Sequence, residues 1–215
     1  MLRYLPADRL DAHPLLRDTM FRDRAAQFHT RLGWRVTVDP RGYERDAYDA
    51  AGPLYILWQA SDGSHGGSLR LLPTTGRCMV NEHFRDVAGG AAIRSSGIWE
   101  VTRFCVSPRA GARDAARAAA ALCLGAGEVM RLRGLQHFVA VFDPRMERIY
   151  RRLGLVPQVI GRRGTGRDSI GVGLFTMDAA AFAPILAQVG IGPETSATWL
   201  REAGLEAPVT PSRAA

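Results

Sequence analysis

The chain has 215 residues, of which 47% are hydrophobic and 23% are charged, a balance typical of a globular protein with an apolar core. All 28 basic residues are arginine, so neither a lysine Schiff base nor a phosphate-binding loop that uses lysine is available. No segment approaches the roughly 18 consecutive apolar residues that span a bilayer, and residues 1–16 lack the apolar run of a secretory signal. We therefore expect a cytoplasmic protein that does not enter a membrane.

The cysteines Cys78, Cys105 and Cys123 are far apart and lie in apolar segments. Their spacing matches neither a zinc site nor a disulfide framework. We therefore expect three buried thiols and no metal.

Positive charge is concentrated in residues 109–167. This segment holds 12 arginines against four acidic residues, a net charge of +8, whereas the whole chain carries +7. A field of this sign attracts acidic partners. Nucleic acid and an acidic carrier protein are both candidates.

The first part of the chain predicts a helix and then a hairpin. Pro14 suits the first turn of a helix that continues to about Leu32. Residues 40–53 look irregular. The strand-like runs 54–60 and 67–73 flank the turn-rich SDGSHGG, which is a hairpin signal.

The second part of the chain alternates strands with helices. Residues 98–106 are rich in strand formers, and an alanine-rich helix is expected over 114–133. The remaining expected elements are a strand at 137–143, a helix at 144–154, a strand at 171–177 and a helix at 179–189. The tail after Leu205 is expected to be disordered.

This order predicts one α/β domain over residues 1–205, followed by the tail 206–215. Helices should cover both faces of a mixed, mostly antiparallel sheet, as in an α/β/α sandwich. The order matches the fold of GNAT-like acyltransferases.

Several blocks of the sequence resemble a known enzyme family, the LuxI-type acyl-homoserine-lactone synthases. The blocks are FRDRAAQFHTRLGW (21–34), ERDAYD (44–49), GSLRLLPT (67–74), Phe84 and WEVTRFCV (99–106). The family's recurring side chains fall, in order, on Arg24, Phe28, Trp34, Asp46, Asp49, Arg70, Phe84, Glu100 and Arg103.

The resemblance implies transfer of an acyl group from acyl carrier protein or acyl-coenzyme A to the amine of S-adenosylmethionine, followed by lactone closure. S-adenosylmethionine is then a substrate, and no cofactor is expected. The implied binding residues are Arg24, Phe28, Trp34, Asp46, Asp49, Arg70, Phe84, Thr102 and Arg103. Aromatic faces can hold a sulfonium and stack on adenine, although Phe28 and Trp34 would also suit an ordinary core.

The catalytic candidates are Glu100, Arg103 and Asp46. Glu100 is the expected proton acceptor for the substrate amine, directly or through water. The loop carboxylates Asp46 and Asp49 could fix the amine and order the loop through pairs with Arg24 or Arg70. Arg103 or Arg24 could bind the substrate carboxylate with a two-pronged hydrogen bond. In a regular strand Glu100 and Arg103 point to opposite faces, so both reach one site only if the strand bulges or splays.

The acyl chain requires an apolar pocket, and the carrier requires a basic surface. The pocket candidates are Val139, Val141, Phe142, Met146, Ile149 and Leu153, and the docking candidates are Arg148, Arg151 and Arg152. In the family that the sequence resembles, some members that prefer 3-oxo chains carry a threonine on the strand that here reads Val139-Ala140-Val141. The absence of a hydroxyl there favours an unsubstituted chain.

Two other functions remain open from the sequence. A general GNAT-type N-acyltransferase would cradle coenzyme A with a glycine-rich turn before a helix, and RAGARDAA (109–116) has its glycine out of place. A nucleic-acid-binding module would explain the arginines of 109–167, but the segment contains no recognisable binding motif. We therefore expect no nucleic-acid partner, and the oligomeric state stays open.

Overall fold

The computed structural model describes residues 1–177 and 179–205. The strands are β1 (Leu2–Pro6), β2 (Leu54–Gln59), β3 (His65–Pro73), β4 (Ile98–Val106), β5 (His137–Phe142), β6 (Gln158–Arg163) and β7 (Ile170–Phe175). The helices are α1 (Pro14–Arg24), α2 (Met79–His83), α3 (Ala112–Arg133), α4 (Pro144–Arg152), α5 (Ala179–Val189) and α6 (Pro193–Glu202). The expected tail at 206–215 lies outside the described residues.

The seven strands form one sheet in the order β1-β2-β3-β4-β5-β7-β6. Only β4 and β5 run parallel, and every other neighbouring pair is antiparallel. The mixed, mostly antiparallel sheet predicted from the sequence is therefore confirmed, as is the hairpin between β2 and β3.

Alternation along the strands places apolar side chains on both faces of the sheet. On β2, Leu54 and Ile56 pack with the buried residues of α3, whereas Tyr55 and Leu57 pack with those of α1. The close approach of α3 depends on Gly125, because a Cβ there would lie 2.8 Å from the side chain of Ile56. Helices thus cover both faces, as the α/β/α prediction required.

β4 and β5 pair over a short distance and then separate. Their register runs from Ile98 opposite His137 to Val101 opposite Ala140. Beyond that pair β4 continues to Val106 beside β3 alone. The resulting gap between two parallel strands provides an opening at the middle of the sheet.

The structure corrects the element list in several places. The elements β1, β6, α2 and α6 were not expected. β1 and β6 are short, and β6 is an edge strand with mostly exposed side chains, so neither shows a clear apolar alternation. The expected first helix changes to a π-helix over Ala25–Arg31. None of the helices in the described ranges has the length and apolar character that a bilayer crossing requires.

Candidate active site

Arg24, at the end of α1, is the centre of a buried group of charges. Its Nε donates to Glu44 Oε2 at 2.6 Å, and its Nη1 and Nη2 donate to the two carboxylate oxygens of Asp49 at 2.9 Å each. Arg24 is 1% exposed and Glu44 is fully buried. Because all three guanidinium nitrogens are engaged, Arg24 holds the loop 44–49 rather than offering a free donor to a substrate carboxylate.

Arg70, on β3, binds the same loop from the sheet. Its Nη1 lies 2.5 Å from Asp46 Oδ1 and 2.8 Å from Asp49 Oδ1, and its Nη2 lies 3.0 Å from Asp46 Oδ2. Its Nε donates to the hydroxyl of Thr102 at 3.1 Å. The arginine pairs that the sequence led us to expect for Asp46 and Asp49 are therefore present.

The loop itself is shaped by its two aspartates. Asp46 Oδ1 accepts from the backbone N–H groups of Tyr48 and Asp49, and Asp49 Oδ2 accepts from the N–H of Asp46. This reciprocal capping box forms one turn of 3₁₀ helix over Ala47–Ala50. The spacing of three residues between the aspartates is what the turn requires.

Arg103 joins the group because β4 bulges. Ser68 pairs with Cys105 but Arg70 pairs with Thr102, so Arg103 and Phe104 together oppose a single residue of β3. Arg103 has φ +55°, the one positive value at a non-glycine residue in the described ranges. Its side chain contacts Glu44 Oε1 at 3.0 Å and Asp46 Oδ2 at 2.6 Å.

The bulge corrects the expected faces of β4. In a regular strand Thr102 and Phe104 would share the face of Glu100, and Arg103 would point to the other face. Instead Arg103 points to the charged group with Thr102, and Phe104 packs with Val101 in the core beneath α3. The sequence required a bulge or splay of β4 if Glu100 and Arg103 were to lie on the same face of the sheet, and this bulge provides it.

The group is electrically balanced. Three guanidinium groups, those of Arg24, Arg70 and Arg103, face the three carboxylates of Glu44, Asp46 and Asp49. Burial by itself would raise the pKa of Asp49, but the charges of Arg24 and Arg70 and the hydrogen bonds from Arg24 and the backbone of Asp46 together outweigh it and hold that pKa well below its usual range. The pKa of Asp46 is also lowered, since Arg70 and Arg103 outweigh its burial.

Phe28 and Trp34 form an aromatic wall at the mouth of a cleft. Their rings are stacked with centroids 5.2 Å apart and an interplanar angle of 5°. The Arg103 guanidinium carbon lies 5.5 Å from the centre of the Phe28 ring. Trp34, Phe28, Arg103 and Asp46 therefore form one continuous series of contacts from solvent to the buried charges.

The cleft has a volume of about 610 Å³ and lies beside the gap between β4 and β5. Phe28 and Trp34 line one side, Phe104 lies at its floor, and Met146 and Ile149 of α4 line the other side. Of the residues expected to bind S-adenosylmethionine, these two aromatic residues line the cleft directly. The charged ones lie beneath them.

Glu100 lies deeper than the sequence suggested. Its carboxylate is fully buried and accepts from the N–H groups of Val80 at 2.5 Å and Met79 at 3.0 Å, at the start of α2. Burial raises the pKa of Glu100, although these two backbone hydrogen bonds oppose the rise. Glu100 does not line the cleft, so direct contact with a substrate amine there would require movement of α2.

Comparison with known proteins identifies relatives over most of the chain. A family model described as "Autoinducer synthase" matches residues 9–183. An acyl-homoserine-lactone synthase of Rhizobium etli is 40% identical over 182 residues, which are 83% of this chain and 85% of the relative. Another, of Agrobacterium fabrum, is 35% identical over 169 residues, 76% of this chain and 80% of that protein.

The chain belongs to the autoinducer synthase family. It is thus an enzyme, an acyl-homoserine-lactone synthase that acts as an acyltransferase, as the sequence predicted.

Solved structures of autoinducer synthases confirm the fold. A CoA-dependent acyl-homoserine lactone synthase, MesI, superposes with a TM-score of 0.75 at 25% identity, covering 89% of this chain and 96% of MesI. TofI, in a ternary complex with an inhibitor and MTA, gives 0.71 at 27% identity, covering 90% and 98%. The synthase LasI gives 0.72 at 26% identity, covering 89% and 97%.

The other residues predicted from the autoinducer synthase pattern lie apart from the charged group. Phe84 packs at the end of α2, where the Arg163 guanidinium carbon lies 5.6 Å from its ring centre. Val139 and Val141 pack on that same side with Val80 and Val172. Phe142, Met146, Ile149 and Leu153 instead pack on the side of α3. The expected acyl-pocket residues are therefore divided between the two faces of the sheet.

The docking candidates of α4 are all exposed. Arg151 pairs with Glu147 at 3.0 Å within the helix, and Arg152 also lines the cleft. Arg148 and Arg152 form no ion pair with the described residues. These side chains stand close to the cleft and are available to an acidic partner.

Sequence reasoning missed two members of the charged group. Glu44 pairs with both Arg24 and Arg103, and the Tyr55 hydroxyl donates to Asp49 at 2.7 Å. Counting the charges of the predicted site could have revealed Glu44. Arg24, Arg70 and Arg103 carry three positive charges, and Asp46 and Asp49 supply only two negative ones. Tyr55 gave no such signal, since its position on β2 suits a core aromatic equally well.

Proposed function

We propose that this autoinducer synthase uses the cleft to join an acyl thioester to S-adenosylmethionine. The observation that supports this proposal most strongly is the series of contacts Trp34–Phe28–Arg103–Asp46. It links an exposed aromatic wall to a buried group of charged side chains whose net charge is zero. In the first step the amine nitrogen attacks the thioester carbon, the C–N bond forms, and the thiol of the donor leaves. In the second step the methionyl carboxylate displaces the sulfonium, and methylthioadenosine leaves as the lactone closes.

The aromatic wall is suited to the cationic end of the substrate. A sulfonium over an aromatic face is stabilised by the ring quadrupole, and adenine can stack on Trp34, which is 43% exposed. The parallel arrangement of Phe28 and Trp34 presents flat faces rather than edges. The MTA bound to the relative TofI supports a nucleoside site in this family.

Arg103 is the best placed ligand for the substrate carboxylate. Its Nε and Nη2 bind Glu44 and Asp46, whereas its Nη1 has no hydrogen-bond partner among the described residues. The carboxylates behind it fix the guanidinium beside Phe28, so the free Nη1 donors are oriented before a substrate arrives. Arg24, Arg70, Asp46 and Asp49 then act by positioning Arg103 and the loop.

Glu100 is the proposed final acceptor of the amine proton, through water. Its raised pKa makes it a stronger base than an exposed glutamate. Each of its oxygens keeps a second lone pair after accepting from α2. The backbone N–H groups of β4 near 101–103, or those of β5 at 139–142, could stabilise the oxyanion where the two strands separate.

The acyl chain is proposed to enter the gap between β4 and β5 on the α3 side. Phe104 lines both the cleft and a smaller apolar cavity whose walls include Val101 and Ala140. A chain that starts at the gap can pass Phe104 into this cavity. The α3-side candidates Phe142, Met146 and Ile149 are consistent with that route, whereas Val139 and Val141 are not.

The acyl donor is proposed to be an acyl thioester of carrier protein or coenzyme A. The exposed arginines Arg148, Arg151 and Arg152 suit an acidic carrier protein, and they also suit the phosphates of coenzyme A, the donor named for the relative MesI. Both donors and S-adenosylmethionine are made in the cytoplasm, where we propose that the enzyme works.

The test compares the amounts of two products, the free thiol of the acyl donor and methylthioadenosine. Purified protein is mixed with S-adenosylmethionine and either octanoyl carrier protein or octanoyl-coenzyme A, and thiol and methylthioadenosine are measured together. Equal release of both products is expected. Thiol release without methylthioadenosine would show an ordinary N-acyltransferase, and no release with either donor or any chain length would contradict the proposal.

A further inference from the structure

Tyr48 lies between the buried charged group and the short helix α2. The residue is part of the 3₁₀ turn Ala47–Ala50 and is 5% exposed. The guanidinium carbons of Arg70 and Arg77 each lie 5.5 Å from the centre of its ring, within the range of cation–π attraction. Arg70 belongs to the charged group, whereas Arg77 is exposed and lies just before α2. The ring of Tyr48 therefore connects the two.

The hydroxyl of Tyr48 binds α2 through Glu82. It donates to Glu82 Oε2 at 2.9 Å, and Arg77 Nε and Nη2 donate to the two oxygens of the same carboxylate at 2.9 Å each. These bonds, from Arg77 first and from Tyr48 second, lower the pKa of Glu82 to about 2. The carboxylate is therefore ionised throughout the neutral range, and the Tyr48 hydroxyl keeps its acceptor.

The position of α2 depends on its side-chain contacts. A helix of five residues has no stability of its own. Asn81 fixes it to the backbone of Ile93 through two hydrogen bonds of 2.8 Å, and Glu82 fixes it to Tyr48. The first two N–H groups of α2 are the ones that hold the Glu100 carboxylate, so these contacts decide whether that hold persists.

We propose that Tyr48 is a positioning residue that couples the charged loop to the carboxylate of Glu100. Its hydroxyl holds Glu82, and through Glu82 it holds α2 over the buried Glu100. Its ring lies against the Arg70 guanidinium, so a substrate that shifts the charged group also shifts the contacts of Glu100. The proposal rests on the function given above, in which Glu100 receives the amine proton.

Loosening of α2 would change the proton affinity of Glu100 in one direction. Burial is the largest influence on this carboxyl and raises its pKa, and the two N–H groups of α2 oppose the rise. Since burial outweighs them, entry of water beneath α2 weakens both influences and returns the pKa downwards, towards that of an exposed glutamate. Arg70 lowers this pKa and Asp46 raises it, and a change at the Tyr48 hydroxyl leaves both charges in place. Further ionisable groups on the segments that pack around Glu100 are those of Tyr48, Arg77, Cys78, Glu82 and His83, and its neighbours on β3 and β5 are Leu72 and Val139.

The deciding measurements are made on the intact chain and do not depend on turnover. Tyr48→Phe removes the hydroxyl and keeps the ring beside Arg70. Hydrogen exchange of the first two N–H groups of α2 is followed by NMR. The Glu100 carboxyl is titrated by carbon NMR on glutamate-labelled protein, its resonance being the one that Glu100→Gln lacks. Tyr4→Phe is the matched control, because the Tyr4 hydroxyl donates to another helical carboxylate, Glu128, on the α3 side of the sheet.

Tyr48→Phe should speed this exchange about tenfold or more, the effect of losing one hydrogen bond to a charged group. It should also lower the pH at which Glu100 titrates, whereas Tyr4→Phe should alter neither quantity. Glu82→Ala should cause both changes at least as strongly, and adding Tyr48→Phe to it should change nothing further, because the hydroxyl acts through Glu82. In the active enzyme, the fall of kcat at low pH should move to lower pH together with the titration of Glu100.

Wild-type exchange in Tyr48→Phe would overturn the proposal. Faster exchange with an unmoved Glu100 titration would also overturn it, because the hydroxyl would then only stabilise the helix. So would a further change when Tyr48→Phe is added to Glu82→Ala. If Tyr48→Phe does not fold, Glu82→Ala provides the test, since the Glu82 side chain is 33% exposed. If the Glu100 titration moves as expected but no acyl donor releases methylthioadenosine, the proposed function fails while the coupling through Tyr48 stands.

Discussion

Thr102 and Arg103 are consecutive residues of β4, yet both side chains lie on the face of the sheet that carries Arg70. Thr102 accepts from Arg70 Nε at 3.1 Å, and Arg103 Nη2 lies 2.6 Å from Asp46. In a regular strand one of them would point into the apolar core beneath α3. The bulge at Arg103 therefore completes the buried charges and brings an arginine with free donors next to Phe28.

Removing one member of the buried charged group should destabilise the folded protein. Replacing Asp49 with Asn keeps its shape but leaves Arg24 and Arg70 short of one negative charge. We expect Asp49→Asn to lower the free energy of unfolding by about 3–5 kcal/mol, as for other broken buried ion pairs. Urea unfolding measures this. Asp86→Asn, which breaks the exposed pair with Arg163, is the matched control and should leave the midpoint of urea unfolding unchanged. Equal midpoints for the wild type, Asp49→Asn and Asp86→Asn would contradict the expectation.

The same carboxylates should make stability depend on pH. The pKa values of Asp46 and Asp49 are lower in the folded protein than the value of about 3.9 in an unfolded chain. Their contribution is therefore fully present above about pH 4 and is lost as the pH falls towards the folded values. We expect the stability difference between wild type and Asp49→Asn to shrink when unfolding is measured from pH 6 down to pH 3. A difference that grows on acidification would show the opposite sign of shift.

The aromatic wall should contribute to substrate binding more than to folding. Trp34 is half-exposed and its main ring contact is Phe28. We expect Trp34→Ala to raise the KM for S-adenosylmethionine by about 5–30-fold, the effect of losing roughly 1–2 kcal/mol of stacking and cation–π attraction. The melting temperature should change little. Leu15→Ala removes a similarly exposed apolar side chain elsewhere and should alter neither quantity.

Protonation of Glu100 should cause the fall of kcat at low pH, the acid limb of the pH–rate profile. Because its pKa is raised above the usual value of a glutamate, the fraction able to accept a proton rises with pH over a range above about 4.5. We expect Glu100→Gln to lower kcat at least tenfold and to remove that acid limb, with the KM for S-adenosylmethionine nearly unchanged.

Since Glu100 also caps α2, the variant's circular dichroism must match the wild type before its rate is compared. A folded Glu100→Gln enzyme with near-normal turnover would remove this residue from proton transfer. A lower kcat with an unaltered pH profile would assign it a positioning role.

The arginines of α4 should affect the carrier and not the methionyl substrate. We expect Arg148→Glu combined with Arg152→Glu to raise the KM for acyl carrier protein at least fivefold, with the effect diminishing at high salt, because opposite charges guide the encounter. The pair Arg113→Glu and Arg201→Glu makes the same charge change at other exposed positions. If both pairs raise this KM equally, net charge rather than a docking surface is responsible.

The sequence by itself determined the family, the mixed sheet and most of the charged residues. Those features depend on local patterns: the β2–β3 hairpin on its turn, the 3₁₀ turn at Asp46 and Asp49 on a spacing of three, and the core on alternation along each strand. The hairpin turn, the 3₁₀ turn and the alternation along each strand are all set by residues near one another in the chain. Such features can therefore be predicted from the sequence before the fold is known.

Only the tertiary structure decided which side chains share a space. The bulge at Arg103 reverses the faces of β4, the burial of Glu100 beneath α2 removes it from the cleft, and the pleat of β5 turns Val139 and Val141 away from Phe142. Tyr150 and Ala140 line the same small pocket only because α4 packs on that side of the sheet. A one-residue shift in a strand exchanges its two faces, and contacts between distant segments fix that shift, so the composition of a pocket is a property of the packed molecule.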